Sequence, residues 1–236
     1  TVMDPSPTVG LLGAVGEEHP VALIKGGEER RSGIKPSFGG PSEISDSATA
    51  VGRQGEDVRD HGVIEAEELR DVVLVGHSYA GMVITGVADR IGDRLKRLVY
   101  FDAFVPSNGK SLLDYTGEAR AAMQRREGEA NGTIGPMPAA ALGLTRAEDI
   151  EWATRRQVRH PFGTMSQPLK LENESALAKI PKAFVNCHSA TGTFEQFAVK
   201  IRQDPAWTYR ELKTGHDAMI IDPEATARVL MECAGA

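Results

Sequence analysis

The sequence predicts an α/β protein with a mostly parallel sheet, helices on both faces of that sheet and an inserted helical cap. The sheet is predicted because short, almost wholly apolar runs alternate along the chain with segments of helical spacing. A strand that is apolar along its whole length suits a parallel sheet, where helices cover both faces. Between residues 107 and 180 this alternation stops and charged segments with scattered apolar residues replace it, which predicts the cap.

The alternation begins near residue 63. Residues 63–69 form the end of a helix, and the apolar run 71–76 is a strand. A helix over 79–91 follows, because apolar residues recur there at helical spacing, and 97–101 is the next strand. Strand, helix and strand in this order form a βαβ unit whose two strands are parallel neighbours.

Residues 107–180 are predicted to form the cap, because charged helical segments there carry only scattered apolar residues. The alternation then resumes with four elements: a strand at 182–187, a helix at 193–202, a strand at 207–212 and a helix at 223–233 that has proline in its first turn. Residues 1–106 and 181–236 are therefore predicted to form the core that carries the cap.

The first sixty residues differ from the rest, since they are rich in Gly, Pro, Ser and charged residues. The apolar run 21–24 is predicted to be a short buried strand, because glycines follow it directly after one lysine. Residues 32–55 have no regular period, so a loop is expected there.

Charge and composition argue against several classes of function. Lys and Arg number 27 and Asp and Glu number 33, and a net charge of −6 with scattered basic residues argues against nucleic acid or an anionic membrane as a partner. No apolar run approaches the roughly 20 residues of a membrane span, and the first residues lack a signal-peptide pattern. Two cysteines, Cys187 and Cys233, are too few for a disulfide framework or a metal cluster. A cytoplasmic protein is expected, and a homodimer stays open.

The strongest local signal is Gly76-His77-Ser78-Tyr79-Ala80-Gly81, between a predicted strand and its helix. A serine hydroxyl becomes useful as a nucleophile when a sharp strand-to-helix turn lifts it clear of the sheet. This turn strains the backbone and needs small residues two positions to either side, where Gly76 and Ala80 lie. The start of the helix points backbone N–H groups at the atom under attack. We therefore predict Ser78 as nucleophile and the Tyr79 N–H as an oxyanion donor.

A base and an acid are expected further along the chain. His216 lies in the loop between the last strand and the last helix, from which it can reach the serine. Asp102 ends the strand that neighbours the serine strand, and such strands lie about 4.8 Å apart, so Ser78 and Asp102 should share one edge of the sheet. The three residues keep the chain order Ser, Asp, His. Glu195 and Asp204 are the alternatives for the acid.

Each predicted role also has a plainer structural explanation. Ser78 could be incidental to a glycine-containing turn, His216 could be a solvated loop residue, and Asp102 could cap a turn. Other chemistries lack their motifs, since the sequence has no HExxH, no paired CxxC, no GxxxxGK[ST] and no GxGxxG after a strand. Neither a cofactor nor a metal is therefore expected.

These residues resemble the α/β-hydrolase superfamily, and within it the branch of plant methylesterases, hydroxynitrile lyases and bacterial carboxylesterases such as the pyrethroid hydrolases. The resemblance is carried by residues 65–84, 98–106 and 214–219, and it covers about residues 63–236, whereas residues 1–60 match poorly. It implies a Ser-His-acid esterase with a helical cap, no cofactor and a small, largely apolar ester as substrate. The acid of the bacterial members falls at Asp102.

Two departures from the family bear on activity. Hydroxynitrile lyases have a lysine after the catalytic histidine, whereas this chain has Asp217, which argues against a lyase. The HGAW-like loop that donates the second oxyanion N–H is not found. The sequence therefore predicts a serine carboxylesterase that works through an acyl-enzyme. The alternatives are an impaired hydrolase fold that binds small ligands, and a hydroxynitrile lyase-like enzyme.

The substrate pocket is expected to be lined by residues near the nucleophile and the base and by residues of the cap. A methionine or aromatic residue in a helical segment is more often part of the core, so a core role is the alternative for the apolar members. The candidates are His77, Trp152, Phe162, Met165 and Met219.

Overall fold

The computed structural model describes residues 8–11, 21–25 and 62–235. The strands are β1 (Thr8–Leu11), β2 (Val21–Lys25), β3 (Val72–Ser78), β4 (Leu95–Ala103), β5 (Thr133–Ile134), β6 (His160–Pro161), β7 (Lys182–Asn186) and β8 (Trp207–Glu211). The helices are α1 (residues 62–66), α2 (Ala80–Ile91), α3 (Glu118–Asn131), α4 (Ala147–Thr154), α5 (Phe162–Ser166), α6 (Glu174–Leu177), α7 (Glu195–Ile201), α8 (Ala218–Ile221) and α9 (Pro223–Ala234). Short 3₁₀ helices occupy Gly92–Arg94, Leu112–Tyr115 and Ala139–Leu142.

Within these residues the central sheet has the strand order β1-β2-β3-β4-β7-β8. Strands β3, β4, β7 and β8 run parallel to one another, whereas β1 and β2 pair antiparallel, with β2 beside β3. The predicted α/β class with a mostly parallel sheet is confirmed. Strands β5 and β6 form a separate two-stranded ladder.

Helices cover both faces of the parallel strands. On one face, Leu74 of β3 and Leu98 of β4 pack with Met82 of α2 in one buried cluster. On the other face, Val75 of β3 packs in a second buried cluster with Val229 of α9. Successive side chains of a strand point to opposite faces, so a strand covered on both sides has no polar position. This is why the runs that predict β3 and β4 are almost wholly apolar.

The predicted elements from residue 63 onward are all present, with small differences at their ends. Strand β3 continues to Ser78, and β4 extends to Ala103, so Asp102 lies inside its strand instead of ending it. Strand β2 confirms the strand predicted at 21–24, and β1 was not predicted. The loop expected at 32–55 lies outside the described residues.

Residues 107–180 connect β4 to β7, two strands that are neighbours in the sheet. This segment holds α3 to α6 and the β5–β6 ladder. Its end is fastened to α2, because the carboxylate of Asp89 accepts hydrogen bonds from the backbone N–H groups of Glu172 (2.9 Å) and Asn173 (2.7 Å).

The two cysteines, Cys187 and Cys233, are buried free thiols. In the parts of the chain described above, no helix combines the length and the apolar character that crossing a bilayer requires.

Candidate active site

The predicted nucleophile lies in a strained turn. Ser78 is the last residue of β3 and has a φ of +55°, in the left-handed region. A Cβ atom on Gly76 would lie 2.7 Å from the carbonyl oxygen of Ala80, and one on Gly81 would lie 2.0 Å from the carbonyl oxygen of Phe104. The turn therefore excludes larger side chains at both glycines, as predicted for Gly76.

The surroundings of Ser78 leave its hydroxyl without a structural role. Tyr79 is the N-cap residue of α2, so its backbone N–H lies at the start of that helix. The Ser78 side chain is almost buried, and its hydroxyl forms no hydrogen bond with another described residue, His216 included. Catalytic hydrogen bonds are often long in ligand-free structures, so the missing bond does not exclude His216 as its base.

His216 is held by a buried carboxylate. Its Nδ1–H donates to Oδ2 of Asp102 across 2.7 Å, and the other oxygen of Asp102 accepts the backbone N–H of Cys187 at 3.1 Å. Asp102 has no exposed surface. Because an ionised carboxylate can only accept, Nδ1 of His216 carries a proton, and in the neutral ring Nε2 then holds the lone pair. This is the protonation state that a general base needs.

Asp102 reaches this position through an irregularity in its strand. Parallel pairing sets His77 opposite Phe101 and Ser78 opposite Ala103, so the register passes over Asp102. Asp102 also has a positive φ, +41°. The structure therefore places Ser78 and Asp102 at one edge of the sheet, as the sequence predicts, and a backbone distortion at each residue accompanies this placement.

Two aromatic rings contact the imidazole of His216. The ring of Phe194 stacks on it with centroids 5.1 Å apart and planes at 15°, and the ring of His77 lies at 4.3 Å and 33°. Nε2–H of His77 donates to the backbone carbonyl oxygen of His216 at 3.0 Å. The sequence does not indicate this role for Phe194, because nothing local distinguishes it from a core residue.

Neither alternative acid contacts the imidazole. Glu195 accepts a hydrogen bond from the side-chain amide of Asn186 at 3.0 Å, and Asp204 accepts one from the backbone N–H of Ala206 at 2.9 Å. Of the three carboxylates considered, only Asp102 is brought to His216.

Ser78 and His216 both line a cavity of about 690 Å³. This volume lies within the range of small-molecule sites. Most of the lining is apolar, and much of it comes from the segment 107–180. Apolar lining residues include Leu112, Ile134, Met137, Leu142 and Ile220.

Four of the five predicted pocket residues line this cavity, namely His77, Trp152, Met165 and Met219. Phe162 does not, which corrects the prediction. A Cβ atom on Gly128 of α3 would lie 2.2 Å from the Phe162 ring, so this ring fills the space beside a glycine instead of facing the cavity. Gly128 lies three residues before the end of α3, and nothing in the local sequence indicates that an aromatic ring packs against it.

Polar groups also line the cavity, among them Arg120 and Gln124, which no motif in the sequence marks as site residues. Burial raises the pKa of Asp217, an effect that His216 opposes and Asp102 adds to. His77, His216 and Asp217 each offer one atom for a cation, all within 4.8 Å of one another.

His160 makes stability depend on pH. It lies buried in the cavity wall with its ring edge-on to Tyr79 at 4.9 Å and bonded to the Thr164 hydroxyl. Burial lowers its pKa from 6.5 to about 4. As the pH falls, the imidazole of His160 therefore gains its proton earlier in the unfolded chain than in the folded chain, and this favours unfolding. The free energy of unfolding is unaffected by His160 above pH 6.5 and decreases as the pH falls towards 4.

We expect this loss to reach about 3 kcal/mol in the free energy of unfolding. Urea denaturation of wild type and His160→Gln at several pH values between 7 and 4 measures it. Wild type should lose more stability than the variant over this window, and equal slopes for the two proteins would contradict the role of His160.

The chain is similar in sequence to a known protein family and to a characterised relative. A sequence model described as "Alpha/beta hydrolase family" matches residues 35–229, which begins further upstream than the resemblance at residue 63. The carbendazim hydrolyzing esterase of Nocardioides sp. (strain SG-4G) is 36% identical over 182 residues, covering 72% of this chain and 74% of that protein.

Solved structures show the same fold. An extracellular alpha/beta-hydrolase from a Paenibacillus species, described as sharing structural and functional homology with tobacco Salicylic Acid Binding Protein 2, aligns with a TM-score of 0.70 at 21% identity over 80% of this chain and 83% of its own. A methylesterase from Arabidopsis aligns with a TM-score of 0.61 at 14% identity, covering 80% of each chain.

Proposed function

The chain belongs to the alpha/beta hydrolase family and is a carboxylic ester hydrolase, and from this premise we propose that it is a serine esterase for small, largely apolar esters. The observation that carries the proposal is the 2.7 Å hydrogen bond from His216 to buried Asp102, at the edge of the sheet where β3 ends in Ser78. It leaves Nε2 of His216 free to act as a base in the cavity that Ser78 also lines.

The reaction begins when the Ser78 hydroxyl oxygen attacks the carbonyl carbon of the ester while Nε2 of His216 takes its proton. Asp102 stabilises the imidazolium that forms. The carbonyl oxygen becomes an oxyanion, which the Tyr79 N–H at the start of α2 stabilises. The intermediate collapses by breaking the bond to the alcohol oxygen, which receives the proton from His216. An acyl group then remains on Ser78.

Water completes the cycle. His216 takes a proton from a water molecule, whose oxygen attacks the acyl carbon, and the second intermediate breaks its bond to Ser78 as the proton returns to the serine oxygen. The products are the alcohol and the carboxylic acid, and the enzyme regains its starting state. No step requires a group from outside the chain other than ester and water.

The cavity supports a small and mainly apolar substrate. Its volume of about 690 Å³ and its apolar lining suit an ester that loses water on binding. We propose that residues 107–180 act as the cap, because Leu112, Met137 and Met165 of this segment line the same cavity as Ser78 and His216. Carbendazim belongs among the esters to test, since a relative is named for hydrolysing it.

A serine-directed fluorophosphonate probe tests the mechanism directly. The probe should bond to the Ser78 oxygen, and mass spectrometry of the digested protein should find the adduct on the peptide that contains Ser78. An excess of 4-nitrophenyl butyrate should slow the labelling, because both compete for one site. The proposal would be refuted if the active protein, after incubation with the probe, carried no adduct at Ser78. It would also be refuted if the adduct lay on another residue.

A further inference from the structure

The cavity has a polar region on the long helix α3. Arg120 and Gln124 are four residues apart in this helix, so they lie on the same face, and both line the cavity. The neighbouring Arg125 and Arg126 are exposed and do not line it. Helix α3 therefore contributes one guanidinium and one carboxamide to an otherwise mainly apolar wall.

Arg120 lacks a counter-charge in this position. Its Nη2 donates to the thioether sulfur of Met137 at 3.0 Å, and a thioether is a weak acceptor. Among the described residues no carboxylate lies within ion-pair distance of it. The side chain is about half buried, and this burial lowers its pKa, so water does not fully compensate the charge. Several of its N–H donors remain available to a ligand.

Gln124 is an unpartnered polar side chain beside it. Only 5% of its surface is exposed, its amide oxygen is completely enclosed, and its carboxamide forms no hydrogen bond with any residue in the described ranges. Buried polar groups are almost always hydrogen-bonded, and each exception calls for an explanation. The NH₂ group of Gln124 also has no acceptor among the described residues, so an oxygen atom of a bound substrate can accept a hydrogen bond from it.

We infer that Arg120 and Gln124 form a polar anchor that binds a hydrogen-bond acceptor on the substrate, a carbonyl or carboxylate oxygen in the half of the molecule remote from the scissile bond. The inference rests on the proposed esterase function, and it narrows the substrate class to esters that carry a second acceptor. Arg120 supplies charged donors and Gln124 an amide donor, whereas Ser78 and His216, at the sheet edge, engage the ester group itself.

Matched esters of equal length test this anchor. One series places the acceptor in the acyl chain: 4-nitrophenyl pentanoate, 4-nitrophenyl 4-oxopentanoate and mono-4-nitrophenyl glutarate. The other places it in the alcohol, with butyl acetate and 3-oxobutyl acetate. In at least one series we expect wild type to prefer the acceptor-bearing ester in kcat/KM. The ketone and the carboxylate then distinguish a neutral from an anionic acceptor.

Arg120→Met should reduce this preference tenfold to a hundredfold, the usual effect of losing a hydrogen bond from a charged donor. Gln124→Leu should reduce it less, and Arg120→Lys should restore part of it. Arg126→Met makes the same change on the exposed side of α3 and should retain the full preference. Unchanged preference in Arg120→Met, in both series, would overturn the anchor while the esterase proposal stood.

A binding measurement separates the anchor from the chemistry. Calorimetry with the Ser78→Ala protein and monomethyl glutarate should give at least tenfold weaker binding when Arg120→Met is added. Thermal melting of each variant verifies that it is folded. Equal affinity with and without Arg120→Met would refute the anchor, whereas failure of the esterase proposal would show instead as absent turnover of every ester and no labelling of Ser78.

Discussion

Ser78→Ala is expected to lower kcat for 4-nitrophenyl butyrate by about 10⁶-fold, as in hydrolases where nucleophile and base act as a unit. Alanine has no oxygen that can form the acyl-enzyme, so His216 has no serine proton to accept. The remaining activity would come from water in a cavity that still binds ester and oxyanion. Initial rates of nitrophenolate release measure the effect.

Ser175→Ala is the matched control for this variant. Ser175 lies exposed in α6, away from the cavity, so its replacement should keep the wild-type rate. Equal rates for wild type and Ser78→Ala would exclude a serine mechanism at this position. If both rates were also no higher than the uncatalysed rate, the chain would be the impaired hydrolase fold that binds small ligands.

Asp102→Asn is expected to lower kcat/KM by about 10⁴-fold, because it changes which nitrogen of His216 carries the proton. The Cys187 N–H needs an acceptor, so the amide oxygen of the new asparagine should take the place of Oδ1. Its NH₂ group then faces Nδ1 of His216, which must accept the bond. The proton moves to Nε2, and the imidazole can no longer take the proton of Ser78.

Steady-state kinetics of Asp102→Asn, Glu195→Gln and Asp204→Asn measure this effect against two controls. Both controls should retain nearly full activity, because neither carboxylate contacts His216 and each accepts a hydrogen bond elsewhere. Near-normal turnover in Asp102→Asn together with a large loss in either control would move the role of the acid to that residue. Circular dichroism of each variant verifies that the fold is retained.

The order of strands and helices after residue 63 could be predicted from the sequence, because it depends on local patterns of apolar residues. A strand such as β3, covered by helices on both faces, is apolar along most of its length, and the run from Val72 to Val75 shows this directly in the sequence. The turn at Ser78 was also predictable. Gly76 must be small because the backbone of Ala80, only four residues away, lies against it. Strand β1 was missed because its apolar run is interrupted by Gly10.

The contacts that complete the candidate site join residues far apart in the chain. Asp102 was predictable at the right edge, but its hydrogen bonds to His216 and to the Cys187 N–H come from the packing of β4 against β7 and the loop after β8. No local pattern distinguishes Phe194 or Phe162, and one ring stacks on the imidazole while the other fills a gap beside a glycine.

The sequence by itself determined the fold class, the nucleophile turn and the residue types available for acid and base, because these follow from periodicity, backbone sterics and chain order. Only the tertiary structure decided which carboxylate meets the imidazole and which side chains line the cavity. Arg120 and Gln124 look like surface residues of a charged helix until packing turns one face of α3 towards the cavity. Burial changes the pKa and the hydrogen-bond strength of a side chain, and the burial of each residue depends on how the whole chain packs.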